Sequence, residues 1–281
     1  MRVTFWGTRG SIPTPGAHTV RYGGDTPCVS VEDGPGLLIL DAGSGIRRLG
    51  EALLARGHRA PIDLLLSHTH WDHIQGLPYF APVHDPRLKV RVYGPRPELL
   101  GLREVLMRQM SPPVSVPAYA ADAARMEVTE ITAGELRTDY FRIGAIPLRH
   151  PGRTLGFSVS MATGGATVNY LTDNELGDLS TTPDWQAALV GFLQGSEVLI
   201  HDATYGDDEV PARRGWGHSS ASQAVDLAVA AGVRKLMLFH HAPEHGDREV
   251  DRMLAEARRQ VAVAGAQLVV EAAAAGLSFD I

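Results

Sequence analysis

The segment LLLSHTHWDHIQG, residues 64–76, concentrates metal-binding side chains directly after an apolar run. It places His68, His70, Asp72 and His73 within six positions. Two histidines spaced two apart in an extended segment project to the same side, so both rings can bind one cation. Asp72 and His73 follow a bend and can face a second cation. An isolated His-x-His pair is more often an accident of the surface, but the added aspartate and histidine favour a metal site.

Three further polar residues each close an apolar run elsewhere in the chain. His150 follows FRIGAIPLR, Asp173 follows ATVNYLT and His240 follows KLMLF. Strand ends on one edge of a sheet converge in space, and ligand sites form at such edges. His150 or Asp173 alone fits equally well as a polar residue bonded to the turn that ends its strand. Together with the His-rich segment, they predict one polar site at a sheet edge.

Other histidines compete for these roles. His241 follows the strand end by one residue and should face the opposite way, so His240 is the preferred candidate. His201 also closes an apolar run and is interpreted as structural or as supporting a ligand, with Asp202 able to orient an imidazole. The histidines in loop-like contexts, which we expect to be exposed to solvent, are His18, His58, His84 and His245.

The stretch GWGHSSASQAV has the features of a helix start. Ser220 and Gln223 have the spacing of a capping box, and His218 lies just before it. Helix N termini present free N–H groups and the positive end of the dipole, which favour an anion. The same residues fit an ordinary capped helix preceded by a surface histidine. His218 is therefore a candidate for contacting a phosphate group.

The elements that must position these residues have alternating strand and helix patterns. Short β-rich runs precede the helical pattern IRRLGEALLARG, a second helix is predicted over 98–109, and GFSVSMATGGATVNYLTD reads as a hairpin with TGG at its turn. The Pro-rich stretch 111–124 has no regular period and is a loop, a spacer or a lid. We predict one domain over residues 1–281, an α/β fold with two sheets stacked between helical layers.

Composition narrows the functional class. The formal net charge of −6 over 281 residues gives no general surface for binding polyanions. Cys28 is the only cysteine, which excludes an intrachain disulfide and the Cys-rich zinc motifs. No apolar stretch approaches the ~18 to 20 residues of a bilayer helix, and the N terminus lacks a secretory apolar segment. We therefore expect a cytoplasmic protein without membrane contact.

The motif HTHWDH, with a downstream histidine, a TD aspartate and a late FH histidine, resembles the metallo-β-lactamase fold superfamily. The resemblance implies a four-layer αββα sandwich with two divalent metal ions, Zn²⁺ or Mn²⁺. A hydroxide shared by the two metals would be the nucleophile, because metal binding lowers the pKa of water. The implied catalytic set is Asp72, Asp173 and His218. The implied ligands are His68, His70 and His150 for the first metal, Asp72, His73 and His240 for the second, and Asp173 as the bridge.

Within this superfamily the chain resembles the phosphodiesterase branch, which includes ribonuclease Z and the phosphoribosyl cyclic phosphodiesterases. That branch has a His-Ser element like the one at His218, which the resemblance makes an electrophile or a general acid. The N-terminal WGTRGSIPTPG is similar to its glycine-rich first loop, where Gly7 and Gly10 would permit sharp turns and Arg9 could approach a phosphate. Asp41, at a strand end, would support a metal ligand.

Two departures from the branch bear on the substrate. Ribonuclease Z inserts a long arm before the bridging aspartate, whereas residues 151–172 hold only a hairpin, which together with the acidic charge argues against tRNA. A Cys-containing zinc site of the phosphoribosyl enzymes is not available to a chain with Cys28 alone. We therefore predict hydrolysis of small phosphodiesters, including cyclic ones. Alternatives are hydrolysis of thioesters, lactones or β-lactams, and metal binding without turnover; a homodimer is compatible with the resemblance.

Overall fold

Over residues 1–178 and 180–281, which the computed structural model describes, the chain forms fourteen strands and eight α-helices. The strands are β1 (Arg2–Gly7), β2 (Cys28–Asp33), β3 (Gly36–Leu40), β4 (Ile62–Leu65), β5 (Val90–Pro95), β6 (Glu127–Ile131), β7 (Gly134–Arg137), β8 (Phe141–Pro147), β9 (Leu155–Met161), β10 (Val168–Leu171), β11 (Val198–Asp202), β12 (Lys235–Phe239), β13 (Val269–Ala272) and β14 (Ser278–Asp280). The helices are α1 (Ile46–Ala55), α2 (Trp71–Ile74), α3 (Ala81–His84), α4 (Leu102–Gln109), α5 (Pro117–Ala123), α6 (Pro183–Leu193), α7 (Ala221–Ala230) and α8 (Asp247–Val263).

The strands form two seven-stranded sheets of similar design. The first has the order β14-β1-β2-β3-β4-β5-β6 and the second the order β13-β12-β11-β10-β9-β8-β7. In the first sheet β3, β4, β5 and β6 pair in parallel, and in the second β10, β11, β12 and β13 do so. Parallel strands end at the same edge of a sheet, so residues that follow them gather there.

The two sheets pack face to face through a core to which both contribute. Phe5 of β1 and Tyr170 of β10 each contact Phe239 of β12, with ring centroids 6.0 and 5.6 Å apart. Burial of a large apolar side chain contributes roughly 1.5–3 kcal/mol to stability. Helices α1 to α5 cover the outer face of the first sheet, and α6 to α8 cover that of the second. The layers are therefore helix, sheet, sheet, helix, and the predicted αββα sandwich is confirmed.

Two helices differ from the sequence prediction. Helix α4 begins at Leu102 instead of residue 98, because the N–H of Leu102 donates to the Glu130 carboxylate (2.9 Å), a capping group from a distant strand. The Pro-rich stretch contains α5, with Pro117 in its first turn, so the prediction of no regular structure is wrong there. Tyr119 of α5 packs on the ring of His84 at 4.5 Å between centroids.

Local turn signals are confirmed. Gly164 and Gly165, between β9 and β10, have φ values of 89° and 117°, which only glycine adopts without strain. Helix α7 begins with the predicted capping box of Ser220 and Gln223. Among the helices in the described part of the chain, none is long and apolar enough to cross a membrane.

Candidate metal centre

Asp173 is the central member of a cluster at the edge where the parallel strands end. Its Oδ2 lies 3.4 Å from His68 Nε2 and 3.5 Å from His150 Nε2. Its Oδ1 lies 3.3 Å from His73 Nε2 and 3.1 Å from His240 Nε2. The two oxygens of one carboxylate thus face two different pairs of imidazoles. A carboxylate that bridges two cations needs this arrangement.

The remaining predicted ligands complete the two halves of the cluster. His70 Nδ1 lies 3.0 Å from His150 Nε2. Asp72 Oδ2 lies 3.2 Å from His73 Nε2 and 3.3 Å from His240 Nε2. Within each half the donor atoms lie within 4.8 Å of one another; the first half is His68, His70, His150 and Asp173, and the second is Asp72, His73 and His240. The structure therefore brings together all the residues that the sequence assigned to the two metals.

The cluster has the chemical character of a cation site. His68 Nε2 and His73 Nε2 are buried and, among the described residues, have no hydrogen-bond partner. A buried polar atom without a partner costs about 1–3 kcal/mol, which coordination of a cation would offset. Burial lowers the pKa of His68 well below its usual value and is the main cause that lowers the pKa of His150 to about 4. Neutral imidazoles are the form that binds a metal.

Three of the site residues have a strained backbone conformation. They lie one or two residues after the ends of β3, β10 and β12. Their φ values are 61° for Asp41, 53° for Asp173 and 62° for His240. The left-handed conformation raises the free energy of a residue with a β-carbon by roughly 1–2 kcal/mol. Strain of this kind persists where the surrounding structure holds it and is concentrated at functional sites. At each strand end the chain turns sharply and directs the side chain into the cluster.

Asp41 holds the second half of the cluster in place. Its Oδ2 lies 2.7 Å from His73 Nδ1 and accepts hydrogen bonds from Tyr170 Oη and Ser67 Oγ, both at 2.8 Å. The carboxylate can only accept, so Nδ1 of His73 carries the proton and Nε2 is the atom left for a cation. This is the supporting role that the sequence suggested for Asp41.

The N-terminal loop packs directly against the cluster. A β-carbon on Gly10 would lie 2.5 Å from the His240 ring, and one on Gly7 would lie 1.9 Å from a backbone oxygen. These glycines are therefore required for space. A sharp turn does begin at Gly10, where the N–H of Ile12 donates to the Gly10 carbonyl oxygen (2.7 Å), but the residue with positive φ in it is Ser11 (61°). Arg9 also differs from its predicted approach to a phosphate, because it is fully buried. Its guanidinium donates to the carbonyl groups of Gly23, Ala242 and His245.

His218 lies over the cluster between two of its imidazoles. Its ring centroid is 5.2 Å from that of His150 and 4.9 Å from that of His240. Its Nδ1 lies 2.6 Å from Asp202 Oδ2. Burial favours the neutral form of His218, but the charge and hydrogen bond of Asp202 outweigh this and raise its pKa to about 9. Asp202 also orients His240 indirectly. Thr204 Oγ1 donates to Asp202 Oδ1 (2.9 Å) and lies 3.0 Å from His240 Nδ1.

Two of the N–H groups at the start of α7, those of Ser220 and Gln223, are satisfied by its own capping residues. Ser220 Oγ accepts from the N–H of Gln223 at 3.3 Å, and Gln223 Oε1 accepts from the N–H of Ser220 at 3.0 Å. The Ser222 hydroxyl donates to Asp207. The capping box is therefore as predicted, and the phosphate contact of His218 stays a prediction.

Glu175 is a site residue that the sequence analysis missed. It is buried, and its carboxylate accepts from the N–H groups of Gly215 (2.8 Å) and Gly217 (2.8 Å). The carbonyl oxygen of Gly217 in turn lies 2.9 Å from His150 Nδ1. Glu175 thus fixes the loop that orients His150 and leads into His218. The Glu175 carboxylate is 40 or more residues away in sequence from these N–H groups, so no local spacing predicts the hydrogen bonds.

Replacing Glu175 by alanine should lower both stability and turnover. The N–H groups of Gly215 and Gly217 would lose a charged acceptor, which we expect to reduce the free energy of unfolding by about 2–3 kcal/mol. Loss of support for His150 should reduce the activity of the site by about 10- to 100-fold. Urea unfolding and steady-state kinetics measure the two effects. Glu175→Gln retains one oxygen acceptor and should be less affected; wild-type values in both variants would contradict this role.

His201 has a supporting position, one of the two alternatives left open by the sequence. It is buried, with Nδ1 2.7 Å from the Asp202 carbonyl oxygen and Nε2 3.2 Å from Asn174 Nδ2. Asn174 Oδ1 accepts from the N–H of Arg149. These bonds join the loops that follow β8 and β10 to the end of β11. His201 therefore stabilises the segment next to Asp173 without facing the cluster.

The other histidines occupy varied environments. His241 faces away from the cluster, with Nε2 2.9 Å from a backbone carbonyl, and burial lowers its pKa to about 3. The expectation of exposure is wrong for His245, which is buried with Nε2 2.9 Å from Glu209 Oε2. His84 is half-buried, and its Nδ1 lies 2.7 Å from Asp122 Oδ2.

Two loops border the cluster where it opens. A cavity of about 250 Å³ beside His68 and His70 is lined by the loop after β5 and by residues 151–153. The Pro-rich stretch 111–124 instead lines a separate groove next to Tyr79. The loops positioned to contact a substrate are therefore those after β5 and β8.

Comparisons with known proteins agree with this geometry. The family model described as beta-lactamase superfamily domain matches residues 37–241. Ribonuclease BN of Citrobacter koseri is 26% identical over 300 residues, which cover 91% of this chain and 94% of that protein. The metallo-beta-lactamase fold protein YhfI of Bacillus subtilis superposes with a TM-score of 0.71 at 20% identity, covering 99% and 98% of the two chains. Human tRNase Z, short form, superposes with a TM-score of 0.66 at 22% identity, covering 100% and 99%.

One expectation needs correction. The argument against tRNA is not supported, because the similarity to ribonuclease BN and the superposition on tRNase Z extend over nearly the whole chain. A missing arm affects how the body of a large substrate is held and has no bearing on the bond that is cleaved. The matched range contains every residue of the Asp173 cluster. The chain therefore belongs to the beta-lactamase superfamily and is a hydrolase with the metallo-β-lactamase fold.

Proposed function

We propose that this hydrolase is a phosphodiesterase that uses two divalent metal ions. The proposal is carried by one observation, the placement of Asp173 with each carboxylate oxygen facing a different pair of imidazoles. The proposed ligands are His68, His70 and His150 for one cation, Asp72, His73 and His240 for the other, and Asp173 as the bridge. The proposed catalytic set is Asp72, Asp173 and His218.

Imidazole and carboxylate donors suit Zn²⁺ or Mn²⁺, and such cations would polarise a phosphoryl oxygen and lower the pKa of water. The chain supplies orientation. Asp41 fixes the tautomer of His73, and Gly217 accepts from Nδ1 of His150. Asp202 holds Nδ1 of His218, so the proton available to a substrate is the one on Nε2.

His218 favours a phosphodiester over a carbonyl substrate. An imidazolium held by Asp202 beside His150 and His240 is complementary to an anionic phosphoryl group and provides a proton for a departing alkoxide. Small phosphodiesters, including cyclic ones, fit this chemistry. RNA is a second candidate, favoured by the 26% identity to ribonuclease BN over 91% of the chain. Thioesters, lactones and β-lactams stay as alternatives that a substrate panel distinguishes.

Three further expectations stay predictions. Residues 1–281 are proposed to form one hydrolase domain, which the core shared by both sheets supports. The homodimer and the cytoplasmic location rest on the sequence and on the resemblance.

Removal of metal is expected to abolish hydrolysis of bis-p-nitrophenyl phosphate. One preparation is assayed for metal content and activity before chelation, after it, and after addition of Zn²⁺ or Mn²⁺. We expect two metals per chain and activity that the added cation restores. Chromogenic esters serve as the comparison panel. Two bound metals with hydrolysis only of esters, or of nothing, would contradict the phosphodiesterase, and a chain without metal would contradict the whole assignment.

A further inference from the structure

We infer that Arg9 is a positioning residue for the second half of the cluster, which consists of Asp72, His73 and His240. Its guanidinium holds the N-terminal loop against these side chains and thereby sets the affinity of this half for a cation, while the first half is independent of it. The inference rests on the proposed two-metal function and gives a role to a buried charge that this function does not otherwise use.

The charge of Arg9 lies in the interior of the protein. Its side chain is fully buried, and its Nη2 has no hydrogen-bond partner among the described residues. A buried donor without a partner is destabilising, and more so when it carries charge. An apolar side chain of similar length would fill the same space without this cost. The presence of an arginine here therefore has to be explained by the groups that its guanidinium holds.

The guanidinium joins two loops that are far apart in sequence. Its Nε donates to the Gly23 carbonyl oxygen in the N-terminal loop (3.1 Å). Its Nη1 donates to the carbonyl oxygens of Ala242 (3.0 Å) and His245 (2.6 Å) in the loop after β12. Arg9 thus fixes the N-terminal loop to the segment that directly follows His240.

The two residues after Arg9 contact two of the proposed ligands of the second metal. Gly10 packs so closely on the ring of His240 that a β-carbon would lie 2.5 Å from it. The N–H of Ser11 donates to Asp72 Oδ2 (2.8 Å), the same oxygen that faces the two imidazoles of this half. Ser11 has a φ of 61°, a strained conformation that persists only where surrounding contacts hold it. The guanidinium of Arg9 provides such contacts.

The first half of the cluster does not depend on this loop. In the part of the chain that the structure describes, no hydrogen bond of residues 9–11 reaches His68, His70 or His150. His150 is instead oriented by the carbonyl oxygen of Gly217 (2.9 Å). Groups that orient a metal ligand commonly contribute about 10- to 100-fold to metal affinity. Loosening the N-terminal loop should therefore weaken one metal site and spare the other.

Titration of the metal-free protein with Mn²⁺ tests the inference without a measurement of turnover. Electron paramagnetic resonance distinguishes an isolated Mn²⁺ from a coupled pair, so one titration gives both affinities. His70→Ala weakens the first half and His240→Ala the second, which assigns each affinity to its half. We expect Arg9→Met to weaken Mn²⁺ binding at the second half by about 10-fold or more and to leave the first half within about twofold of wild type.

Three further variants separate positioning from a general effect on the fold. Arg9→Lys retains a cation that can donate to carbonyl oxygens but lacks the planar fork, so binding at the second half should be weakened by only about threefold. Gly10→Ala leaves the guanidinium intact and displaces the His240 ring, so it should weaken the same half. Arg103→Met removes an arginine that donates to two carbonyl oxygens following α5 and should bind both cations like wild type.

Circular dichroism of the metal-free proteins identifies the variants that fold, and Arg9→Lys is the deciding variant if Arg9→Met does not. Wild-type affinity at both halves in the folded Arg9 variants, or equal weakening of both halves, would overturn the positioning role. Either result beside a wild type that binds two Mn²⁺ leaves the proposed two-metal function intact. A wild type that binds fewer than two would overturn that function together with the inference.

Discussion

Asp173→Ala is expected to abolish metal-dependent hydrolysis of bis-p-nitrophenyl phosphate, with a fall in kcat of about 10³-fold or more. The Asp173 carboxylate faces both halves of the cluster, within 3.5 Å of an imidazole nitrogen on each side. Without it, His68 and His150 would share no donor with His73 and His240. We therefore expect metal content to fall from two per chain to one or less, measured on the same preparation as the kinetics.

A matched aspartate separates this effect from a general loss of charge. Asp184 is exposed in the first turn of α6, and Asp184→Ala should retain both metals and full turnover. Asp173→Asn keeps the shape of the side chain but not its charge, so it should resemble Asp173→Ala in activity. Circular dichroism on the metal-free proteins checks that the variants are folded. Wild-type turnover by Asp173→Ala would rule out the bridging role.

The positions of the clustered histidines and aspartates were predictable because their signals are local. His68, His70, Asp72 and His73 lie within six positions, and the other candidates are marked by the strand ends that they follow. Parallel strands end at the same edge of a sheet, and this alone predicts that the residues following them lie together. The TGG hairpin is marked by a short-range signal in the same way.

Contacts between distant segments were not predictable. Glu175 reaches Gly215 and Gly217 across 40 residues or more, and nothing in their sequences marks the pairing. Arg9 and His245 have the sequence context of exposed loop residues, yet the N-terminal loop and the loop after β12 pack on each other and bury both. The start of α4 depends likewise on Glu130 from β6. Burial of loop residues is decided by packing between loops, which a single sequence does not encode locally.

His218→Ala is expected to retain both metals and to lose about 10²- to 10⁴-fold in kcat. The ring of His218 stacks against His240 without belonging to either half of the proposed ligand set. Its Nδ1 is held by Asp202 at 2.6 Å, which leaves the proton on Nε2 for the substrate. Metal analysis and single-substrate kinetics measure the two properties separately.

The identity of the leaving group decides which role His218 has. A general acid matters most when the leaving group is a strong base, so His218→Ala should slow cleavage of a dinucleotide with an alkoxide leaving group more than cleavage of a nitrophenyl ester. An electrophile that contacts the phosphoryl oxygens would affect both substrates equally. His18→Ala removes an exposed histidine and should match wild type on both. Loss of metal from His218→Ala, with His18→Ala unaffected, would instead make His218 a ligand and contradict its place in the catalytic set.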